Sequence, residues 1–291
     1  MSDAVAVEGS GLRVTIVRAC LRDGSGGSPT AVLEDRALSD EERRRVPVLM
    51  GTSHAVFVSA EADACDGREV SLRFFTAEGE LPACGHGTVA ALAFLAERDG
   101  ARTEYEVGVR TPGRVFSGRV GRVNGQFNAT FDPGPVDLAE AAPGEVEPVL
   151  RALGITPDAL AGDGCVASLG RARLLLPVAD RFVFEALAPD FAELRAACDR
   201  LGLLGCYVHC SSATEGRIMA RMFAPSIGVP EDIANANSTA CLAACLAARE
   251  GITDVTVDMG DSLGTPSTIT AGVRHGETGA VIYVGGSAAI A

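Results

Sequence analysis

The sequence predicts an α+β fold of two pseudo-symmetric domains, each a mostly antiparallel sheet, an open barrel, wrapped around one central helix. Three observations carry this. Many short stretches alternate apolar and polar residues, the period of half-buried strands. Two Ala-rich segments, running to Arg98 and Arg249, show helical composition without an evident polar face, as buried helices do. Each follows a similar strand and turn. Arg73-Phe74-Phe75-Thr76 precedes the first and Arg221-Met222-Phe223-Ala224 the second, 148 residues later.

In chain order, Leu12–Arg18 (LRVTIVR) alternates as a strand, the loop Asp23–Ser28 follows, and Pro29–Leu33 is a short apolar strand. Ser39 before Asp40, Glu41 and Glu42 combines a side-chain cap with an acidic first turn, and predicts a helix to Arg45. Residues 51–58 lead into a third strand and Glu69–Thr76 forms a fourth. The turn Glu80–Cys84 opens the first Ala-rich helix, which Gly100 closes. Residues 103–110, 113–120 and 125–131 predict further strands. Pro133-Gly134-Pro135 and the acidic stretch after it mark a boundary. The expected domains are residues 1–136, joined by the last strand at about 280–291, and residues 137–279, with a site in the cleft between them. A helix over 145–153 opens the second half. Strands follow at 165–169 and 173–178, then a helix at 190–201 and strands at 205–210 and 217–223. A polar turn over 230–237 leads to the second Ala-rich helix, 238–249, closed by Gly251. Strands at 255–258, 267–273 and 280–284 end the pattern.

Composition removes several function classes. A net charge of −13 argues against nucleic-acid and anionic-membrane partners, which call for basic patches. No lysine is present, so neither a Schiff base nor a lysine base is available. The nine cysteines are odd in number and match no zinc module; Cys206/Cys210 and Cys241/Cys245 lack a paired His spacing. They fit a reduced, cytoplasmic compartment. Met1–Ser10 lacks the pattern of a signal peptide, and no run of about 18 apolar residues occurs.

The stretch Cys84-Gly85-His86-Gly87-Thr88 carries the clearest chemistry. It places a thiol and an imidazole where an extended segment gives way to a helix. Unpaired N–H groups at a helix start attract anions and favour a thiolate. The bland alternative is a Gly-rich turn with a buried Cys.

These pieces resemble the PhzF-like isomerases, within the diaminopimelate-epimerase/proline-racemase fold, over nearly the whole chain. Gly27–Val32 is similar to the family's GNPxAV. Arg73–Thr76 with Glu80-Leu81-Pro82 and His86 is similar to its RxFTPxxELPxxGH, and Arg221–Asp232 to its RxFAPxxGxxED. Gly264–Ser267 is similar to its GRPS, and Val284-Gly285-Gly286 matches its closing VGG. The resemblance implies a homodimer, no cofactor, no metal, and proton transfer on a small carboxylate substrate.

Departures from the family pattern shape the candidate site. His54 stands where the family commonly has a glutamate base, Ser28 where it has the GNP asparagine, and Asn235 and Asn237 where it has Thr and Ser. Cys84-Gly85-His86-Gly87 is closer to the proline-racemase form, in which the Cys is a proton-transferring base. The second Cys of those racemases would fall near Asn235. Imidazole, thiol and carboxylate side chains suit acid–base work, whereas amides position without moving protons. The expected catalytic set is His54, Cys84, His86 and Asp232. The expected substrate-binding set is Ser28, Gly85, Gly87, Thr88, Asn235, Asn237 and Ser238. Cys241 is expected in the core, and His209 and His275 outside the site.

The expected function is a cofactor-independent isomerase that shifts a double bond on a small carboxylic acid, in secondary, antibiotic-type metabolism. The alternatives are an amino-acid epimerase or dehydratase using Cys84, and a ligand-binding protein that has lost catalysis.

Overall fold

A computed structural model describes residues 5–7, 12–60, 69–101, 104–211, 216–276 and 279–291. The chain forms two compact units, residues 1–133 with 284–291, and residues 134–283. The first contains β1 (Val5–Val7), β2 (Leu12–Leu21), β3 (Ser28–Glu34), α1 (Asp40–Met50), β4 (Ala55–Ala60), β5 (Glu69–Phe75), β6 (Glu80–Leu81), α2 (Gly85–Arg98), β7 (Tyr105–Thr111), β8 (Arg114–Val123) and β9 (Gln126–Phe131). The second contains β10 (Asp137–Glu140), α3 (Pro143–Leu153), β11 (Cys165–Leu169), β12 (Arg171–Pro177), α4 (Arg181–Glu185), α5 (Phe191–Leu201), β13 (Leu203–Ser211), β14 (Ile218–Ala224), β15 (Val229–Asp232), α6 (Ala236–Glu250), β16 (Asp254–Met259) and β17 (Ser267–Gly276). The final strand, β18 (Gly279–Ile290), starts in the second unit and finishes in the first. The fold is mixed α/β with a large, mostly antiparallel sheet.

In the first unit the strands close a ring in the order β2, β3, β4, β5, β7, β8, β9, β18 and back to β2. Only the β3–β4 and β5–β7 joins are parallel, and each is bridged by a helix, as parallel joins require. Tyr105, Val107, Val109 and Thr111 of β7 are buried while Glu106 and Arg110 between them are exposed, so one face of the sheet is wet. Asn124 and Gly125 turn β8 into β9 with φ of 51° and 81°, the paired positive values of a tight type I′ hairpin. Helix α2 packs against β2, β3, β4, β5, β8 and β9. Its small residues let it be buried on nearly every side from Gly85 to Ala93.

The second unit repeats that order of elements. β11 and β12 form a hairpin, α4 and α5 cross to a parallel β13, β14 returns antiparallel, and β15 is short. The buried helix α6 then leads to β16, parallel to β14, and β17 follows antiparallel. Helices α3, α4 and α5 enclose a separate core with Leu174, Leu176, Val208 and Phe223.

Most predicted elements occupy their expected places. Ser39 caps α1 in a reciprocal capping box with Glu42, its hydroxyl accepting from the Glu42 N–H while the Glu42 carboxylate accepts from the Ser39 N–H. The helix runs on to Met50, five residues past the expected end, and Gly51 closes it at φ 64°. The second Ala-rich helix starts at Ala236 rather than Ser238, because the Asn235 side chain caps it. The expected polar turn before it contains β15. None of the described cysteines forms a disulfide with another described residue, and each is buried; Cys65 lies outside the described residues. No helix among the described residues is long and apolar enough to cross a membrane.

Candidate active site

Strand β5 positions the first corner. Arg73, on that strand, donates two hydrogen bonds to the Glu80 carboxylate on β6, at 2.8 and 2.7 Å. This bidentate pair fixes the turn that delivers Cys84 to the start of α2. Cys84 is the N-cap residue, and its side chain makes no capping hydrogen bond, so the sulfur is available to other groups. Thr88 supplies the local tie: its N–H and its hydroxyl both donate to the Cys84 carbonyl at 2.9 Å. Gly87 is required by the thiol's position. A Cβ there would lie 2.9 Å from Cys84 Sγ and 3.1 Å from a Val56 methyl.

His54 reaches the same corner from the start of β4. Its carbonyl accepts from the Ala31 N–H, which places it beside β3. His54 Nδ1 lies 3.1 Å from His86 Nε2, and His86 Nε2 lies 3.6 Å from Cys84 Sγ. The two imidazole rings meet edge to face, with centroids 4.5 Å apart and an 80° angle. Ser53 Oγ is 2.9 Å from His54 Nδ1. All three side chains are buried, each 5% exposed or less. Burial, and then the neighbouring His86, push the His54 pKa well below the usual histidine value, so His54 is a neutral imidazole at neutral pH. One ring nitrogen of each histidine thus shares a small space with a sulfur, an arrangement able to accept, hold and return one proton.

Of the expected catalytic set, the structure brings His54, Cys84 and His86 together in the first unit. Asp232 belongs to the second. There Asn235 Oδ1 accepts from the Ser238 N–H at 2.9 Å, and Asn235 Nδ2 donates to Asp232 Oδ2 at 3.0 Å. The Asn235 amide, expected to hold a substrate, is therefore engaged in capping α6 and anchoring Asp232. Asn237 is half-buried, and its amide has no partner among the described residues. Ser238 is fully buried and donates to Met222 Sδ at 3.5 Å. The same kind of clamp precedes this helix: Arg221 donates twice to Glu231, both at 2.8 Å.

The remaining expected residues divide by role. Gly85 is the first residue of α2, with its N–H at the open helix end. Ser28 is fully buried at the start of β3, and its hydroxyl has no partner among the described residues. Cys241 is core, 0% exposed. His209 lies on β13 and lines a cavity of about 420 Å³ in the second unit, with Arg217 and Arg249. His275 lies in β17. Two polar residues went unmarked in the sequence. Ser53 is a small polar residue whose role comes only from the fold. Arg173 is 2% exposed on β12, faces Ser238 at 3.5 Å, and keeps one guanidinium N–H unpartnered among the described residues. Its one sequence signal is a charge on the strand face that also carries Leu175.

Comparison with known proteins agrees with this architecture. The family described as phenazine biosynthesis-like protein, PhzC-PhzF, matches residues 22–291. An uncharacterized isomerase of Deinococcus radiodurans is 29% identical over 281 residues, covering 92% of this chain and 88% of that protein. The trans-2,3-dihydro-3-hydroxyanthranilate isomerase of Pseudomonas aeruginosa is 28% identical over 285 residues, covering 95% and 96%. Among solved structures, a Bacillus anthracis phenazine biosynthesis protein of the PhzF family superposes with a TM-score of 0.81 at 20% identity, covering 95% and 96%. The fold extends to a hydroxyproline epimerase of Agrobacterium vitis, with a TM-score of 0.63 at 11% identity, covering 96% and 90%. With its ring of strands around α2, its Arg–Glu clamped helix starts and a family match over nearly its whole length, the chain belongs to the PhzF family and is an isomerase of that family.

Proposed function

We propose that this isomerase shifts a double bond on a small unsaturated carboxylic acid by moving one proton, with no cofactor. The observation that carries the reading is the convergence of His54, His86 and Cys84 at the start of α2. Neutral His54 offers a base, His86 Nε2 touches both neighbours and can pass the proton between them, and Cys84 can hold or return it. The N–H groups of Gly85 and Gly87 lie in the unpaired first turn of α2, suited to an enolate or carboxylate oxygen. A single proton-moving cluster suits a proton returned to another carbon of one conjugated system. The Pseudomonas relative, a dihydro-hydroxyanthranilate isomerase by name, suggests a cyclic amino or hydroxy acid as substrate, and with it a place in secondary metabolism.

The reading includes an internal duplication, two pseudo-symmetric halves, supported by the repeated element order and the repeated Arg–Glu clamp. It also includes a homodimer, to be checked by light scattering. In the second half, Asp232, Asn237 and Ser238 are proposed as binding groups rather than bases.

A second reading, an epimerase or dehydratase based on Cys84, is favoured by the 3.6 Å contact of its sulfur with His86. Deuterium uptake from heavy water separates the two. With dihydro-hydroxyanthranilate and related unsaturated acids, His54→Ala and His86→Ala should lower exchange by about a thousandfold, the usual range of acid–base catalysis. Cys84→Ser should lower it less. Abolition by Cys84→Ser with only partial loss in His54→Ala would select the second reading. No uptake from any such acid would remove the first.

A further inference from the structure

We propose that His54, His86 and Cys84 also form a zinc site, and that the metal, when bound, holds the enzyme inactive. Each residue offers one ligand atom, and the three atoms lie within 4.8 Å of one another. Zinc takes histidine nitrogen at about 2.0–2.1 Å and thiolate sulfur at about 2.3 Å in tetrahedral geometry. A tetrahedron of those bond lengths has N···N edges of about 3.3 Å and N···S edges of about 3.6 Å. His54 Nδ1 to His86 Nε2 is 3.1 Å and His86 Nε2 to Cys84 Sγ is 3.6 Å. Two of the three edges of a ligand face are therefore already in place. The third, between Cys84 Sγ and the His54 ligand atom, closes by about 1 Å through small side-chain rotations.

The hydrogen bonding points the same way. His54 Nδ1 faces both Ser53 Oγ and His86 Nε2, and His86 Nε2 faces both His54 Nδ1 and Cys84 Sγ. His86 Nε2 is the nitrogen nearer to both neighbours, with Cys84 Sγ 4.0 Å from Nδ1 as well, so nitrogen and sulfur lone pairs crowd one point. A cation at that point satisfies all of them at once. The donor set, two imidazoles and a thiolate, matches the borderline-soft character of zinc. Supporting contacts also exist: the Cys84 backbone is tied by Thr88, and its sulfur rests on Gly87.

Binding follows a balanced exchange. The Cys84 S–H bond breaks, a sulfur–zinc bond forms, and one proton is released to solvent. The Ser53 hydroxyl leaves His54 Nδ1. Three protein ligands leave a fourth position for water or a substrate carboxylate. The inhibitory consequence rests on the isomerase reading above, because the metal occupies the lone pairs that the proton transfer needs. The binding itself does not.

Cobalt(II) titration of the full chain tests the site directly, since cobalt reports thiolate and tetrahedral coordination in its absorption spectrum. One equivalent should give a thiolate-to-cobalt charge-transfer band and intense d–d bands, both abolished by added zinc. Cys84→Ser should remove the charge-transfer band, and His54→Gln or His86→Gln should weaken cobalt binding about tenfold or more. Cys165→Ala, in the other unit, should change nothing. Absence of the bands, or their persistence in Cys84→Ser, overturns the site. Should Cys84→Ser fail to fold, the two histidine variants decide alone: unchanged affinity in both overturns it. Stoichiometric binding without loss of deuterium exchange would uphold the metal site, overturn its inhibitory effect, and refute the role of these side chains in the isomerisation.

Discussion

The two buried helices, α2 and α6, begin in the same way and end up with different chemistry. Both follow a strand whose arginine grips a glutamate through two hydrogen bonds, Arg73 to Glu80 and Arg221 to Glu231. Both use a threonine one turn in to tie down the N-cap carbonyl, Thr88 to Cys84 and Thr239 to Asn235. At α6 the N-cap is an amide whose donor and acceptor are both engaged, by Asp232 and Ser238. At α2 the N-cap is a thiol that caps nothing and meets His86, which in turn meets His54. The scaffold is shared, and the two starts differ in whether the N-cap side chain takes the capping role.

Disabling one clamp at a time probes how alike the two starts are. The Arg221–Glu231 side chains are 10% and 9% exposed, and Arg221 also donates to the carbonyl of Leu187 at 2.8 Å. Glu231→Gln leaves a buried guanidinium without its counter-charge and should cost about 3 kcal/mol in urea unfolding. The Arg73–Glu80 pair is 31% and 29% exposed. Glu80→Gln should cost under about 1 kcal/mol, because solvent screens it. Equal losses would show that the clamps are energetically alike despite their burial.

Acid compares the two units through their buried histidines. Burial lowers the His209 pKa to about 4 and that of His54 well below the usual value. Each takes up its proton in the unfolded chain near pH 6.5 but resists it when folded. Below pH 6.5 the unfolded state binds more protons, so stability falls as pH drops toward the folded pKa and is intact above pH 6.5. His209 alone accounts for roughly 3 kcal/mol of loss by pH 4. Melting temperatures measured from pH 7 to pH 4 should fall, and His209→Gln should flatten that decline. An unchanged slope in the variant would place the acid sensitivity elsewhere.

The α6 cap gives another small expected effect, comparable to that of the exposed clamp. Asn235→Ala removes the acceptor for the Ser238 N–H and should cost about 1 kcal/mol. Cys84→Ala removes no cap and should leave helix stability nearly unchanged by comparison. A larger thermal loss in Cys84→Ala would mean that the thiol holds the first corner together.

Strands and buried helices were legible because their signals are local. Alternation marks β7, and small residues and closing glycines mark α2 and α6. Cys84 and His86 were visible together because only Gly85 separates them. His54 was visible only against a family pattern. Contacts across the sequence carried no such signal. Ser53 beside His54 gains meaning only once β4 is placed next to α2, and Arg173 lies 65 residues from the Ser238 it faces. The structure starts α6 two residues before the expected Ser238 because Asn235, expected to position a substrate, caps the helix instead. Only the fold shows that its side chain is already engaged.

Strand β18 has a consequence for how the chain is made. Val284 pairs with Phe131, and Ile290 with Val17, so the first ring closes with residues synthesised after the whole second unit. At bacterial and eukaryotic translation rates, the interval between residue 131 and residue 284 leaving the ribosome is on the order of 10 s. Throughout it residues 17–21 of β2 and one edge of β9 lack their β18 partner, and such edges are the surfaces on which strands of other chains add. The first ring therefore cannot close until β18 has left the ribosome, and premature termination anywhere in the second half leaves both halves unfinished.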